Sequence, residues 1–272
     1  MNQFSGHLDA SSLALAWQQT DWPPEFAVPK YQLQDCVDST NPLAWERILQ
    51  SNRPQIVIAR QQTAGQGQWG REWRSPLGGL YLSLGLPHVE LPPLLLSLVT
   101  AWGIAQQLQA YHVPIALKWP NDLLVQGRKL GGIKVETRHP RQSAVVIGVG
   151  INGANPVPRG GISLQDCSEQ TFTSLASLAA VVSRGILRAI ATYPRLTPSG
   201  FLAQYWEQLE TKQRSVSVAG GQGKIIGLTP QGQLKVRLSA PGASTTIICK
   251  PGEVQIGYPD RRPDRRDDND SR

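Results

Sequence analysis

Leu94, Leu98, Ala101, Ala105 and Leu108 recur at three- and four-residue steps, the spacing that collects apolar side chains on one face of a helix. The same spacing returns in Leu175, Leu178, Val182, Ile186 and Ile190. A third amphipathic segment, roughly residues 199–210, sets Phe201, Tyr205 and Leu209 together. A shorter helical candidate, residues 10–19, stops before the breaker pair Pro23-Pro24. Between these lie short β-rich runs bounded by Gly and Pro, which predict strands over residues 55–59, 79–86, 115–118, 132–137 and 144–151. The last two flank Arg138-His139-Pro140-Arg141, which reads as a hairpin turn.

After residue 212 the texture changes. Residues 215–258 are rich in Val, Ile and Gly, with turn signals at Gly220-Gly221, Pro230-Gln231-Gly232 and Pro241-Gly242, the pattern of a small all-β barrel. The expected architecture is α/β (α+β): a domain with a mixed sheet and helices over residues 31–212, then a small β-barrel domain over residues 213–258. Residues 1–30 make an N-terminal extension about one helix long, too short for the three packed helices of a helix-turn-helix domain. The charged, Pro-containing residues 259–272 are expected to be a disordered tail. No internal repeat is visible.

Composition narrows the class. The 272 residues are 40% hydrophobic and 17% charged, which supports a packed core and excludes global disorder. The most apolar stretch, residues 91–108, is interrupted by Pro92, Pro93, Ser97, Thr100, Gln106 and Gln107, too polar to span a bilayer. No basic segment leading into an apolar run opens the chain, so no secretory signal is expected. Cys36, Cys167 and Cys249 lie far apart with no CxxC spacing, which suits neither a disulfide framework nor a zinc site and fits a reduced, cytoplasmic location. His7, His88, His112 and His139 are equally scattered. The net charge is +7, and residues 260–272 hold five Arg and five Asp, so the excess lies in the folded body. Its basic residues are not clustered with aromatics, which favours polyphosphate substrates or an acidic protein partner over nucleic acid.

Four segments could carry chemistry. Residues 61–73, QQTAGQGQWGREW, place Gly65, Gly67 and Gly70 after a strand. Glycines let backbone amides surround an anion, but the spacing matches neither the dinucleotide fingerprint nor the phosphate loop, and an ordinary flexible loop reads the same. In Lys118-Trp119-Pro120-Asn121-Asp122, Pro120 holds Trp119 extended. Asp122 then either caps a turn or holds a magnesium ion carrying ATP phosphates. Lys129 stands before Gly131-Gly132, where a solvated surface lysine and an ammonium that stabilises developing negative charge are both open readings. In residues 145–152, VVIGVGIN, Gly148 and Gly150 clear one face of a strand, either for helix packing or as a flat wall for a planar ligand, with Asn152 at its end.

Taken in order, these segments resemble the catalytic domain of the biotin protein ligase family. The family's landmarks stand here as Asp38-Ser39-Thr40-Asn41, the loop of residues 65–71, Lys118-Trp119-Pro120-Asn121-Asp122, the run from Lys129 to Ile133, and Gly148 through Asn152. The resemblance covers about residues 31–258. It implies a class II aminoacyl-tRNA synthetase-like catalytic fold with a C-terminal SH3-like barrel, and a ligase that forms biotinyl-5′-AMP from biotin and ATP with Mg²⁺. The biotin would then pass to a lysine of the biotin carboxyl carrier protein of acetyl-CoA carboxylase, with no membrane or specific DNA partner and with a homodimer left open.

By the same resemblance, Ser39, Thr40, Asn41 and Gln62, with Gly65 and the backbone at Gly131 and Gly132, would hold biotin. Lys129 would contact its carboxylate and the α-phosphate as the catalytic residue. Gln66, Gly67, Gln68, Gly70, Arg71, Trp73, Asn121, Asp122, Gly150 and Asn152 would line the ATP side, with Asp122 toward the metal. A lipoate ligase or related acyl transferase would need an apolar sleeve in place of Ser39, Thr40 and Gln62. A non-catalytic binding protein would bind biotin without releasing pyrophosphate. One departure stands out. The family's loop carries several arginines where this chain has Gln66, Gln68 and Trp69, and a neutral amide cannot pair charge as a guanidinium does. Gln68→Arg should therefore slow adenylate dissociation, measured by chase from the preloaded protein; an unchanged rate contradicts this reading of the loop.

Overall fold

The computed structural model describes residues 8–51, 53–138, 144–167, 172–212, 214–218, 221–240 and 243–257. Strands whose residues are buried on both sides need cover on both faces, and the chain supplies it unequally. Seven strands form one sheet: β1 (Lys30–Val37), β2 (Gln55–Gln62), β3 (Leu80–Leu86), β4 (Ile115–Lys118), β5 (Asp122–Val125), β6 (Arg128–Thr137) and β7 (Val145–Ile151). Their order is β1-β2-β3-β7-β6-β5-β4, with β1 and β2 parallel and every other pair antiparallel.

One face carries the large core. Leu82, Leu84, Ile133, Ile147 and Val149 point from the strands into an apolar cluster shared with α3 (Pro93–Ala110) and α4 (Leu175–Thr192). These two helices touch backbone to backbone. A methyl group at Gly103 would run into the Gly185 carbonyl and Ala189 Cβ, and one at Gly185 would stand 2.8 Å from the Gly103 carbonyl. The segment Leu175–Arg195 is long and apolar enough to cross a membrane, but its apolar window is 72% buried in this core, as the central helix of a packed domain would be. α1 (Ala10–Gln18) adds Leu13 and Trp17 to the same cluster, and Trp17 Nε1 donates to the Pro29 carbonyl at 3.0 Å. α5 (Pro198–Gln208) buries Phe201 and Tyr205 beside it.

The other face is covered by α2 (Thr40–Leu49) alone among the named helices, through Ala44, Trp45 and Ile48 against Val57 and Val146. Sequence patterning did not announce α2. Its apolar face is only three residues wide, and it opens on Thr40, Asn41 and Pro42, which look like a turn. β1 was hidden for a related reason, since an edge strand with exposed residues has little apolar period to detect. The hairpin expected at Arg138-His139-Pro140-Arg141 has its turn outside the described residues, but β6 and β7 pair antiparallel from Thr137↔Val145 to Gly131↔Ile151.

A second sheet follows: β8 (Ser215–Val218), β9 (Gly221–Leu228), β10 (Leu234–Ala240), β11 (Ala243–Cys249) and β12 (Val254–Gln255), in the order β11-β10-β9-β8-β12. The turn signals at Gly220 and Pro241-Gly242, and the tail from residue 258, lie outside the described residues. This sheet is anchored to the first, with Val216, Ile225, Leu234, Val236 and Cys249 in the main core and the indole N–H of Trp119 donating to the Gly232 carbonyl at 2.8 Å. The molecule is thus a mixed α/β fold with a C-terminal sheet domain. Gly103→Val should force α3 and α4 apart and cost about 1–3 kcal/mol of stability by urea unfolding; a loss well below that would contradict the close crossing.

Candidate functional site

The thinly covered sheet face is where polar residues gather. Ser39 caps α2 in an extended conformation, yet its side chain makes no capping hydrogen bond, and the residue lines the open space in front of the sheet. The backbone N–H of Thr40 donates to Gln62 Oε1 at 2.9 Å, and the Thr40 hydroxyl lies 2.6 Å from Ser83 Oγ. Ser83 donates to Asn41 Oδ1 at 2.6 Å, while Gln62 Nε2 donates to Ser75 Oγ at 2.8 Å. Asn41 also bonds Glu136, which accepts from Trp45 Nε1 at 3.0 Å and pairs with Lys134 at 3.0 Å. Burial opposes ionisation of Glu136, but the hydrogen bonds from Asn41, Lys134 and Trp45 outweigh it and hold its carboxyl below the usual range. Each such buried group would cost about 1–3 kcal/mol if orphaned, so the network fixes these side chains in place.

Gly148 and Gly150 face this network, and the structure shows what else occupies the space in front of them. A Cβ at Gly148 would collide with Asn41 Oδ1, and one at Gly150 with the Trp73 indole. The two glycines clear room for protein side chains and still line the open space in front of the sheet. Gly132 pairs with Gly150 across β6 and β7, and a Cβ there would stand 3.5 Å from Trp73 Cζ3. The Trp73 ring therefore lies across this glycine pair, with its Nε1 buried and without a hydrogen-bond partner in the protein.

Charge concentrates at the other end. Lys118 closes β4 and Asp122 opens β5, directly opposite each other in the hairpin. The turn between them is held by Asn121, whose side-chain amide donates to the Ile133 carbonyl at 2.9 Å. Lys129 Nζ sits 2.7 Å from Asp122 Oδ1, and Lys118 Nζ 3.8 Å from Asp122 Oδ2. Lys129 also lies 5.3 Å from the centre of the Trp73 ring. One carboxylate cannot neutralise two ammonium groups, so the cluster keeps an excess positive charge in a sheltered place. Desolvation depresses Lys118 to about 8; Asp122 opposes that shift, while Lys129, Arg71 and Arg214 add to it.

Asp122 could meet a metal only as a single carboxylate beside ATP phosphates, the arrangement read from sequence. Both its oxygens face ammonium groups, and among the described residues no three of His, Cys, Asp or Glu converge. These donors do not form a resident cation site.

The glycine-rich segment roofs the space. Gln66 and Glu72 bridge as a short antiparallel pair, Gly67 N–H donates to the Arg71 carbonyl at 2.7 Å, and Lys134 Nζ donates to Gln66 Oε1 at 3.1 Å. The result is a cavity of about 850 Å³ that runs from Ser39, Thr40, Asn41 and Gln62 to Lys118, Asp122 and Lys129. Gln66, Gly67, Gln68, Arg71, Trp73, Asn121, Gly132 and Gly150 also line it. Four residues singled out from sequence do not. Gly65 is packed against the Trp73 carbonyl and Ser75, Gly131 against the Gly150 carbonyl, and Gly70 has φ 70° at the tip of the loop. Asn152 is buried, donating to the Ile162 carbonyl at 3.1 Å and accepting from Asn155 at 3.2 Å, so it ties the chain after β7 together. Lys118 was visible inside its landmark but was given no role there. Ser217, Pro251, Gly252, Val254 and Gln255 of the C-terminal sheet also line the cavity, and no local signal marks them.

The biotin/lipoate A/B protein ligase family model matches residues 33–152, which hold most of this site. The bifunctional ligase/repressor BirA of Escherichia coli K12 is 34% identical over 206 residues, spanning 71% of this chain and 63% of that protein. The corresponding BirA of Bacillus subtilis 168 is 31% identical over 224 residues, 74% of this chain and 67% of its own length. Among solved structures, the biotin protein ligase from Aquifex aeolicus in complex with biotin and ATP superposes with a TM-score of 0.67 at 25% identity, covering 84% of this chain and 99% of that one.

The Lys118 charge is present below about pH 8 and disappears as pH rises through that value. Sulfate, an anion that does not itself titrate there, should bind roughly ten-fold more weakly at pH 9 than at pH 7 by calorimetry, with the dependence flattened in Lys118→Met. An undiminished pH response in the variant would contradict the assignment.

Proposed function

The chain belongs to the biotin protein ligase family, and from that premise we propose that it activates biotin with ATP as biotinyl-5′-AMP and then transfers biotin to a lysine of an acceptor protein. The observation that carries the proposal is the cavity's polarity. A hydrogen-bonding end built on Ser39, Thr40, Asn41 and Gln62 suits a ureido group, while the Lys118–Asp122–Lys129 end suits a carboxylate meeting a phosphate.

In the first step a biotin carboxylate oxygen attacks the α-phosphorus, the bond to the bridging oxygen breaks, and pyrophosphate leaves. Two anions approach each other, so the barrier falls where fixed positive charge already stands. Lys129 would contact both reacting groups, exchanging part of its ion pair with Asp122 for them. Lys118, held behind by the same carboxylate, would keep the site positive throughout. Trp73 would pack on the adenine, and the loop of residues 66–71 would cover the adenylate. Any magnesium would travel on the phosphates of ATP rather than find a carboxylate cage here. In the second step a neutral acceptor amine attacks the carbonyl carbon, the bond to the AMP oxygen breaks, and the amine loses a proton.

The acceptor that the resemblance implies is the biotin carboxyl carrier protein of acetyl-CoA carboxylase, met in the cytoplasm. The catalytic domain of residues 31–212 would be the family's class II synthetase-like unit, and the C-terminal sheet of residues 213–258 its SH3-like barrel. Biotin-dependent exchange of labelled pyrophosphate into ATP tests the proposal directly. Wild-type protein should support it, and Lys129→Ala should lose about 100-fold or more. Biotin binding without any exchange in the wild type would leave a binding protein instead.

A further inference from the structure

Trp69 is an anomaly in three respects. It has φ 60° and ψ 31°, the left-handed region that bulky side chains rarely enter. It is 69% exposed, a large aromatic left in solvent. It also stands where the family resemblance leads one to expect arginine. The first of these has a local cause. Trp69 and Gly70 (φ 70°) are consecutive residues with positive φ, and Arg71 N–H donates back to the Gln68 carbonyl at 3.2 Å. That is the backbone of a type I′ hairpin turn, whose first central position normally takes Asn, Asp or Gly. Nothing in the turn itself favours tryptophan.

What lies beside the ring supplies the reason. A side-chain carbon built at Gly252 would stand 3.7 Å from Trp69 Cζ2 and 3.9 Å from Cη2. Gly252 has φ 95°, and it follows Pro251 in the turn between β11 and β12. The ring thus stands beside Gly252, where a turn of the C-terminal sheet has no side chain to hold it off. Trp69 and Pro251 line both the reacting cavity and a neighbouring, more apolar hollow of about 630 Å³ between the loop, the start of α3 and the C-terminal sheet. Gln68 lines both hollows as well, but it is the Trp69 ring that stands beside Gly252 of the C-terminal sheet.

We infer that Trp69 is a positioning residue that latches the glycine-rich loop to the Pro251-Gly252 turn, so that the C-terminal sheet holds the roof over the cavity. The latch does by apolar contact part of what loop arginines would do by charge, and it leaves Gln68 and Arg71 lining the cavity. Its consequence for catalysis, retention of the bound intermediate, rests on the proposed ligase activity; its structural half does not.

Trp69→Asn is the informative variant, because asparagine suits the turn and only the ring is lost. Two readouts run in parallel: tryptic cleavage after the exposed Arg71 in the ligand-free protein, and release of preformed biotinyl-adenylate in a chase. Trp69→Asn should be cleaved about ten-fold faster and release the intermediate about ten-fold faster, with an unchanged melting midpoint, while Trp69→Phe stays within about two-fold of wild type on both. Wild-type cleavage rates in Trp69→Asn would overturn the latch. Faster cleavage accompanied by an unchanged release rate would overturn the retention half, because the latched loop would then not be holding the intermediate. Should the wild type form no adenylate at all, the ligase proposal fails, and the cleavage comparison still decides whether the latch exists.

Discussion

The site depends on one electrostatic arrangement, a single carboxylate held between two ammonium groups at the end of a β-hairpin. Asp122 lies 2.7 Å from Lys129 and 3.8 Å from Lys118, in a place sheltered enough that Lys118 gives up part of its affinity for protons. Two like charges cannot share a confined space unless something between them offsets their repulsion, and Asp122 does that without cancelling both. The surplus positive charge is what allows two anionic reactants to be brought together.

The rest of the fold can be understood as what keeps that cluster in place next to a neutral polar pocket. The hairpin of β4 and β5 is clamped from two directions, by Asn121 to β6 and by Trp119 to the C-terminal sheet. The pocket of Thr40, Asn41, Gln62 and Ser83 is fixed by reciprocal hydrogen bonds that exist only because α2 starts over β3 and β7. Trp73 joins the two ends, lying across Gly132 and Gly150 with Lys129 near its ring. The large core on the opposite face, closed by the Gly103–Gly185 crossing, leaves the active face with only the small α2 cluster to pack.

Much of this was legible from the chain, for a physical reason. Lys118 to Asp122 and Lys129 to Ile133 are each contiguous, because a hairpin brings its own ends together, so local sequence carries local chemistry. The long helices were legible because a wide apolar face leaves a period. What escaped was the part that depends on distant contact. Gly148 and Gly150 could be seen to remove side chains, but only the fold shows that Asn41 and Trp73 fill the space. Asn152 looked like a ligand contact and is instead a brace between Ile162 and Asn155. The C-terminal residues that line the cavity carry no chemical signature, since they act by position and not by functional group.

The central claim is that the Lys129 ammonium serves the reacting atoms directly. A crystal structure with biotin and a non-hydrolysable ATP analogue bound together measures this. The account predicts Lys129 Nζ within hydrogen-bonding distance of both the biotin carboxylate and an α-phosphate oxygen, with its contact to Asp122 loosened. A lysine still locked on Asp122, with the two substrates meeting elsewhere in the cavity, would contradict it.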